Sequence, residues 1–239
     1  MNPRLIAATA CVCAALVVAG CSPQAPAPAE QREAADASAA NTNLDTYRQL
    51  LRIHNDEMAV TMGKDIVKRF PDSPAAHEVQ QTLPEIEKRY TQTRETNRLA
   101  ALWVYQVAPM AGGTQSTASI RNSEPTGDPV QLVLRRHSQW GQSVFLYGSG
   151  HGFVCRGNCT LPAQVDGKAM RIKAFAPSTG EPALMIRDDK AFLAMLAKAH
   201  KISIDVTLVD GEKKQTLVYE VGGFDPAKWS ALPGRKKGR

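Results

Sequence analysis

KISIDVTLVDGEKKQTLVYE, residues 201–220, is the stretch that decides the fold. Ile202, Ile204, Val206 and Leu208 alternate with Ser203, Asp205 and Thr207, a period of two that puts apolar side chains on one face of a strand. Asp210-Gly211 follows, and Leu217, Tyr219 and Val221 resume the pattern. An Asp-Gly step between two alternating runs signals a β-hairpin.

Working outward, the same period recurs. Leu102-Trp103-Val104-Tyr105 is dense in strand formers, and Trp103 belongs in a core. Val130, Leu132 and Leu134 alternate with Gln131, Val133 and Arg135. Ser143–Tyr147 is a short apolar run. Met170, Ile172 and Ala174 alternate with Arg171 and Lys173 just after Asp166-Gly167. One helix interrupts, with Phe192, Met195, Leu196 and Ala199 at i, i+3, i+4 and i+7 behind a capping Asp188-Asp189. Several short strands with turn signals predict an antiparallel sandwich or barrel over residues 102–230.

Upstream the period is helical. Leu44, Tyr47, Leu51, Met58, Met62, Ile66 and Phe70 recur at three, four or seven. Pro71 stops the run, and Ser73-Pro74 offers a cap followed by Pro at the first helical position. A second helix continues through Val79, Leu83, Ile86 and Tyr90, with Pro84 as a kink or restart. Residues 42–101 thus read as a helical hairpin, and the whole chain as α+β.

The N-terminus carries Arg4, an apolar stretch from Leu5 to Val18, and Val18-Ala19-Gly20-Cys21. This has the form of a secretory signal. With Cys after the small residues it resembles the lipobox of bacterial lipoproteins. The resemblance implies cleavage after residue 20, acylation of Cys21, and an envelope protein held to the membrane by acyl chains. Ser22, where Asp would retain the chain at the inner membrane, implies the outer membrane, facing the periplasm. Residues 22–41, SPQAPAPAEQREAADASAAN, read as a flexible Ala/Pro-rich tether spanning ~25 Å. No apolar run past Cys21 reaches the ~18 residues of a spanning helix.

Removing residues 1–20 takes Arg4, the only charged side chain there. The 29 Lys and Arg become 28 against 23 Asp and Glu, a net charge of +5. Arg235, Lys236, Lys237 and Arg239, in the basic tail 231–239, supply four of those charges. The remainder is nearly neutral, and no basic stripe carries interleaved aromatics, which argues against nucleic-acid binding.

Cys11 and Cys13 leave with the signal, so Cys155 and Cys159 remain as an even pair in an oxidising compartment and read as a disulfide. The alternative is a metal site of these thiols with His151 and His137; four-residue spacing aligns ligands on a helix, whereas this stretch reads as strand and turn. Gly148-Ser149-Gly150-His151-Gly152 lacks the Gly-Lys-Ser/Thr of a phosphate loop, and Gly141-Gln142-Ser143-Val144-Phe145 fails the nucleophile elbow. No cofactor, metal or catalytic set is legible. Trp140 and Trp229, in polar neighbourhoods, are candidate binding anchors.

Trp103-Val104-Tyr105, Phe153-Val154-Cys155 with Cys159, and Val221-Gly222-Gly223-Phe224-Asp225 together resemble uncharacterised β-rich proteins of the bacterial envelope. That resemblance implies a β module and no catalytic residue. The expectation is a lipid-anchored, non-catalytic binding or scaffold module with an envelope protein or polymer as partner. Its alternatives are an inhibitor or immunity lipoprotein against a periplasm-acting hydrolase and, third, an enzyme acting on an envelope polymer.

Overall fold

The computed structural model describes residues 29–123, 127–148 and 150–232. The signal segment, Cys21 and the tail beyond residue 232 lie outside the described residues. The chain divides into two compact units, Met1–Ile86 and Glu87–Arg239. Helix α3 begins in the first and ends in the second.

The first unit contains α1 (Ala29–Arg52), α2 (Asp56–Arg69) and the start of α3 (Pro74–Ala101). Two sequence expectations change here. Helix α1 begins inside the stretch read as tether. That stretch lacks bulky apolar residues, but Ala, Glu, Gln and Arg are strong helix formers, and Ala40, Leu44, Tyr47 and Leu50 of the same helix are buried. The single long helix expected up to Phe70 is broken at residues 53–55. His54 adopts a positive φ of 55°. Asn55 N donates to Leu50 O at 2.9 Å and His54 N to Leu51 O at 3.1 Å, a Schellman stop. The Asn55 side chain then caps α2 by accepting from Met58 N. Met58, read as apolar-face, is exposed. The cap at α3 is as read: Ser73 Oγ accepts from Ala76 N at 3.1 Å ahead of Pro74. Pro84 sits inside α3 without ending it. Tyr47 Oη and Thr82 Oγ1 share a hydrogen bond at 2.9 Å, and Arg48 forks onto Glu78 at 2.8 and 2.6 Å.

The second unit is one nine-stranded antiparallel sheet that is not closed. Its strands are β1 (Val104–Met110), β2 (Gly113–Arg121), β3 (Gln131–His137), β4 (Gly141–Tyr147), β5 (Asn158–Val165), β6 (Lys168–Phe175), β7 (Ala183–Ile186), β8 (Lys201–Thr207) and β9 (Lys214–Glu220). Their order is β1-β2-β3-β4-β7-β6-β5-β8-β9. Helix α4 (Asp189–Leu196) lies between β7 and β8 in sequence, and Asp188 caps it by accepting from Ala191 N at 2.9 Å. Ala118 on β2 and Leu217 on β9 enter the same core, joined by Phe192 and Leu196 of α4, so the sheet coils around it. Ser123 N donates to Val218 O at 2.7 Å, and Gln215 Nε2 to Asp128 O at 3.1 Å. Ser123 and Asp128, which follow β2 in sequence, thereby bond to β9.

The turns follow their residues. Asp166-Gly167 joins β5 to β6 with positive φ at both positions, the two-residue hairpin turn that suits strand twist. The expected hairpin around Asp210-Gly211 joins Thr207 to Lys214 through a longer loop. Gly223, from the motif Val221–Asp225, lies against the backbone of Leu99 and Ala100, where a Cβ has no room.

Candidate functional site

Alternation across the paired strands sorts side chains into a core face and an outer face. Val133, Phe145, Met185 and Phe175 are register partners on β3, β4, β7 and β6, opposite in phase to the core residues Leu134, Val144, Leu184 and Ala174. They form an apolar row on the outer face. Three interstrand steps of ~4.8 Å make it ~14 Å long. Arginines lie over its two phenylalanines. The Arg135 guanidinium is 5.0 Å from the centre of the Phe145 ring and 5.3 Å from that of Trp140. Arg187 lies 4.7 Å over Phe175 and donates from Nε to Asn158 Oδ1 at 2.9 Å.

Trp140 tops this strip. It is 51% exposed, yet its ring is fixed from beneath. His137, 3% exposed, stacks on it at 3.8 Å with 14° between the planes. The Nδ1 of His137 accepts from Gln139 N at 3.2 Å and Trp140 N at 3.3 Å. That leaves Nε2 to carry the proton and donate it to Met110 O at 2.9 Å. One imidazole thus joins the β3–β4 turn to the β1–β2 turn. Gln139 Nε2 adds a bond to Gly112 O at 2.9 Å. Gly113 permits the approach: a Cβ there would meet Ser138 Oγ at 2.6 Å and His137 Cε1 at 2.7 Å.

Arg135 is half-buried, and this burial lowers its pKa, with Glu181 opposing the shift through space. Its Nε donates to Ser143 Oγ at 3.2 Å. It makes no ion pair among the described residues.

The other candidates separate. Trp229 is not a surface anchor. It is 3% exposed, its Nε1 donates to Ser116 O at 3.1 Å, and Arg136 caps its ring at 3.7 Å. Its polar flanks misled because the C-terminal segment folds back over β2. Phe224 lies between Trp103 and Trp229 at 5.0 and 6.2 Å, and Asp225 N donates to Tyr105 Oη at 2.7 Å. These motif residues are therefore packing residues.

Cys155 and Cys159 form a disulfide with a Cα–Cα distance of 5.6 Å. His151 stands instead with Asp210: Nδ1 to Oδ1 is 2.5 Å, and His151 N donates to Oδ2 at 3.0 Å. The pair clasps the glycine-rich loop to the β8–β9 loop. The hydrogen bond raises the His151 pKa and lowers that of Asp210. Among the described residues no group of three or more His, Cys, Asp or Glu could hold a metal ion, and no helix is long and apolar enough to cross a membrane. An open groove of about 530 Å³ lies beside β5 and β8, where Thr216 Oγ1 donates to Asp205 Oδ1 at 2.7 Å.

The sequence pointed to Trp140 but missed Arg135, Phe145, Phe175 and Arg187 as its companions. The available signal was the odd-numbered phase of β3 and β4, with Val133, Arg135 and Phe145 opposite the core phase.

No family model matches the chain, and no curated protein matches it. Matching solved structures include the crystal structure of invasion associated protein B from Bartonella henselae, at 17% identity and a TM-score of 0.38. That match covers 53% of this chain and 87% of the other.

Proposed function

We propose that the mature chain is held at the bacterial outer membrane by acyl chains on Cys21 and serves as a non-catalytic binding or scaffold module facing the periplasm. It docks a macromolecular partner on the outer face of its sheet, with Trp140 as anchor. One observation carries the reading: Trp140 is half exposed but locked against a buried, fully hydrogen-bonded His137. A large ring held in one orientation loses little entropy on binding, and tryptophan is enriched among residues that dominate interfaces. The non-catalytic part rests on roles already filled. His137 ties two turns, His151 and Asp210 clasp a loop, and Asp188 caps a helix.

The test is capture from detergent-solubilised envelope by full-length protein. Trp140→Ala should weaken capture about thirtyfold, equivalent to ~2 kcal/mol, while the domain stays folded and loses no more than about 1 kcal/mol of stability. Undiminished capture would remove Trp140 from the interface. A captured hydrolase that loses activity would make the module an inhibitor. Turnover of an envelope polymer by the purified chain would overturn the non-catalytic reading.

A further inference from the structure

We infer that the partner presents an acidic protein surface, its carboxylates meeting Arg135 and Arg187 at the two ends of the Phe145–Met185–Phe175 row. This rests on the binding-module reading and names the partner's chemistry. The first observation is charge segregation. Strands β1 to β7 contain no Asp or Glu; Arg121, Arg135, Arg136, Lys168, Arg171 and Lys173 are their Lys and Arg residues. In this sheet carboxylates appear only on β8 and β9, as Asp205 and Glu220.

Nearby loop carboxylates do not neutralise the strip. Glu181 acts on Arg135 through space but makes no ion pair with it. Asp188 is a helix cap, and Asp189 accepts from Gln142 Nε2 at 2.7 Å. Neither Arg135 nor Arg187 has a carboxylate partner among the described residues. Both are backed by aromatic rings. Arg135 gives Nε to Ser143, and Arg187 gives Nε and Nη2 to Asn158, which leaves terminal N–H groups of each guanidinium for a carboxylate.

The second observation is composition. Trp, Phe, Met and Arg are the residues enriched at protein interfaces. A bilayer would call for protruding apolar groups. Here Trp140 and Tyr147 stand clear, each with a polar N–H or O–H on its ring, while Phe145, Met185 and Phe175 are half-buried, with arginines over both phenylalanines. The face suits a folded acidic surface laid on it.

The test places a photoreactive benzoylphenylalanine at Tyr147, an exposed outward position two residues from Phe145, in the full-length anchored chain, with a second probe at Thr117. Light-dependent adducts are mapped by mass spectrometry. The expected adduct is a protein segment rich in Asp and Glu. Its yield should fall about tenfold or more in Arg135→Gln/Arg187→Gln and fall again at high salt, with melting unchanged. An adduct to lipid, glycolipid or a segment without carboxylates overturns the acidic surface. So does a yield that survives the arginine changes but is lost in Trp140→Ala; in that case the binding module stands. No adduct from either probe, with capture indifferent to Trp140→Ala, overturns both.

Discussion

The imidazole of His137 is stacked under the indole of Trp140 at 3.8 Å, and the same ring bonds Gln139 N, Trp140 N and Met110 O. Removing it frees the anchor and leaves three backbone groups to find other partners. His137→Ala should destabilise the second unit by about 1–3 kcal/mol. It should also sharpen and shift the Trp140 line in a ¹⁹F spectrum of 5-fluorotryptophan-labelled protein as the ring gains freedom. A spectrum unchanged at Trp140 would show that the stack does not order it.

Trp140 and Trp229 should part company in stability. Trp229→Ala empties a core site and should cost about 3–5 kcal/mol. Trp140→Ala removes one stack and one cation contact and should cost no more than about 1 kcal/mol. Urea midpoints at constant slope distinguish them.

Much of the sheet was legible because β3, β6, β8 and β9 largely alternate bulky apolar with polar residues and β4 is a short apolar run. Strand β2 was not, since its buried positions include Ser116 and Ala118. The nearly neutral charge of the mature chain outside its basic tail also concealed the site. Acids collect in helices and loops while seven strands carry none, and a summed charge averages that away. Trp229 shows the converse: polar neighbours in sequence say little about a ring that a folded-back segment buries.

The Cys155–Cys159 bridge closes a very short loop, so its stabilisation is about 2 kcal/mol on a chain-entropy account. Reduction, or Cys155→Ser/Cys159→Ser, should lower the unfolding free energy of the second unit by that amount without unfolding it. Intact mass after alkylation without reductant should show no adduct at either position. Two adducts on freshly isolated protein would remove the bridge from the native state.

The His151–Asp210 clasp predicts a pH window. His151 is raised by its hydrogen bond to Asp210, so its contribution is complete below the ordinary imidazole value near 6.5 and is lost as pH rises through the folded value. Asp210 is lowered by the same bond. Its contribution is present above the ordinary carboxylate value near 3.9 and is lost as pH falls through the depressed one. The loop should be best protected in mildly acid solution. In Asp210→Asn the His151 ring resonances should titrate at lower pH, and the amides of His151 and Val209 should exchange faster. Unchanged titration would show that the pair does not persist in solution.

The helix break at His54 gives a prediction whose sign decides it. The apolar spacing runs through residues 44–70, and its one glycine, Gly63, lies nine residues past the break, so nothing in the pattern marks a stop at His54. In the structure His54 occupies the left-handed region at φ 55°, between the last turn of α1 and the Asn55 cap of α2. A side chain there carries strain of roughly 1–2 kcal/mol that glycine does not. His54→Gly should therefore stabilise the first unit by up to about 1 kcal/mol, with part of the relief offset by the greater freedom of glycine in the unfolded chain. Were the helix continuous through this point, the same change would destabilise it by about 1 kcal/mol. Thermal melts of the two proteins, with Asn55→Ala as a companion expected to cost about 1 kcal/mol through the lost cap, read the sign directly.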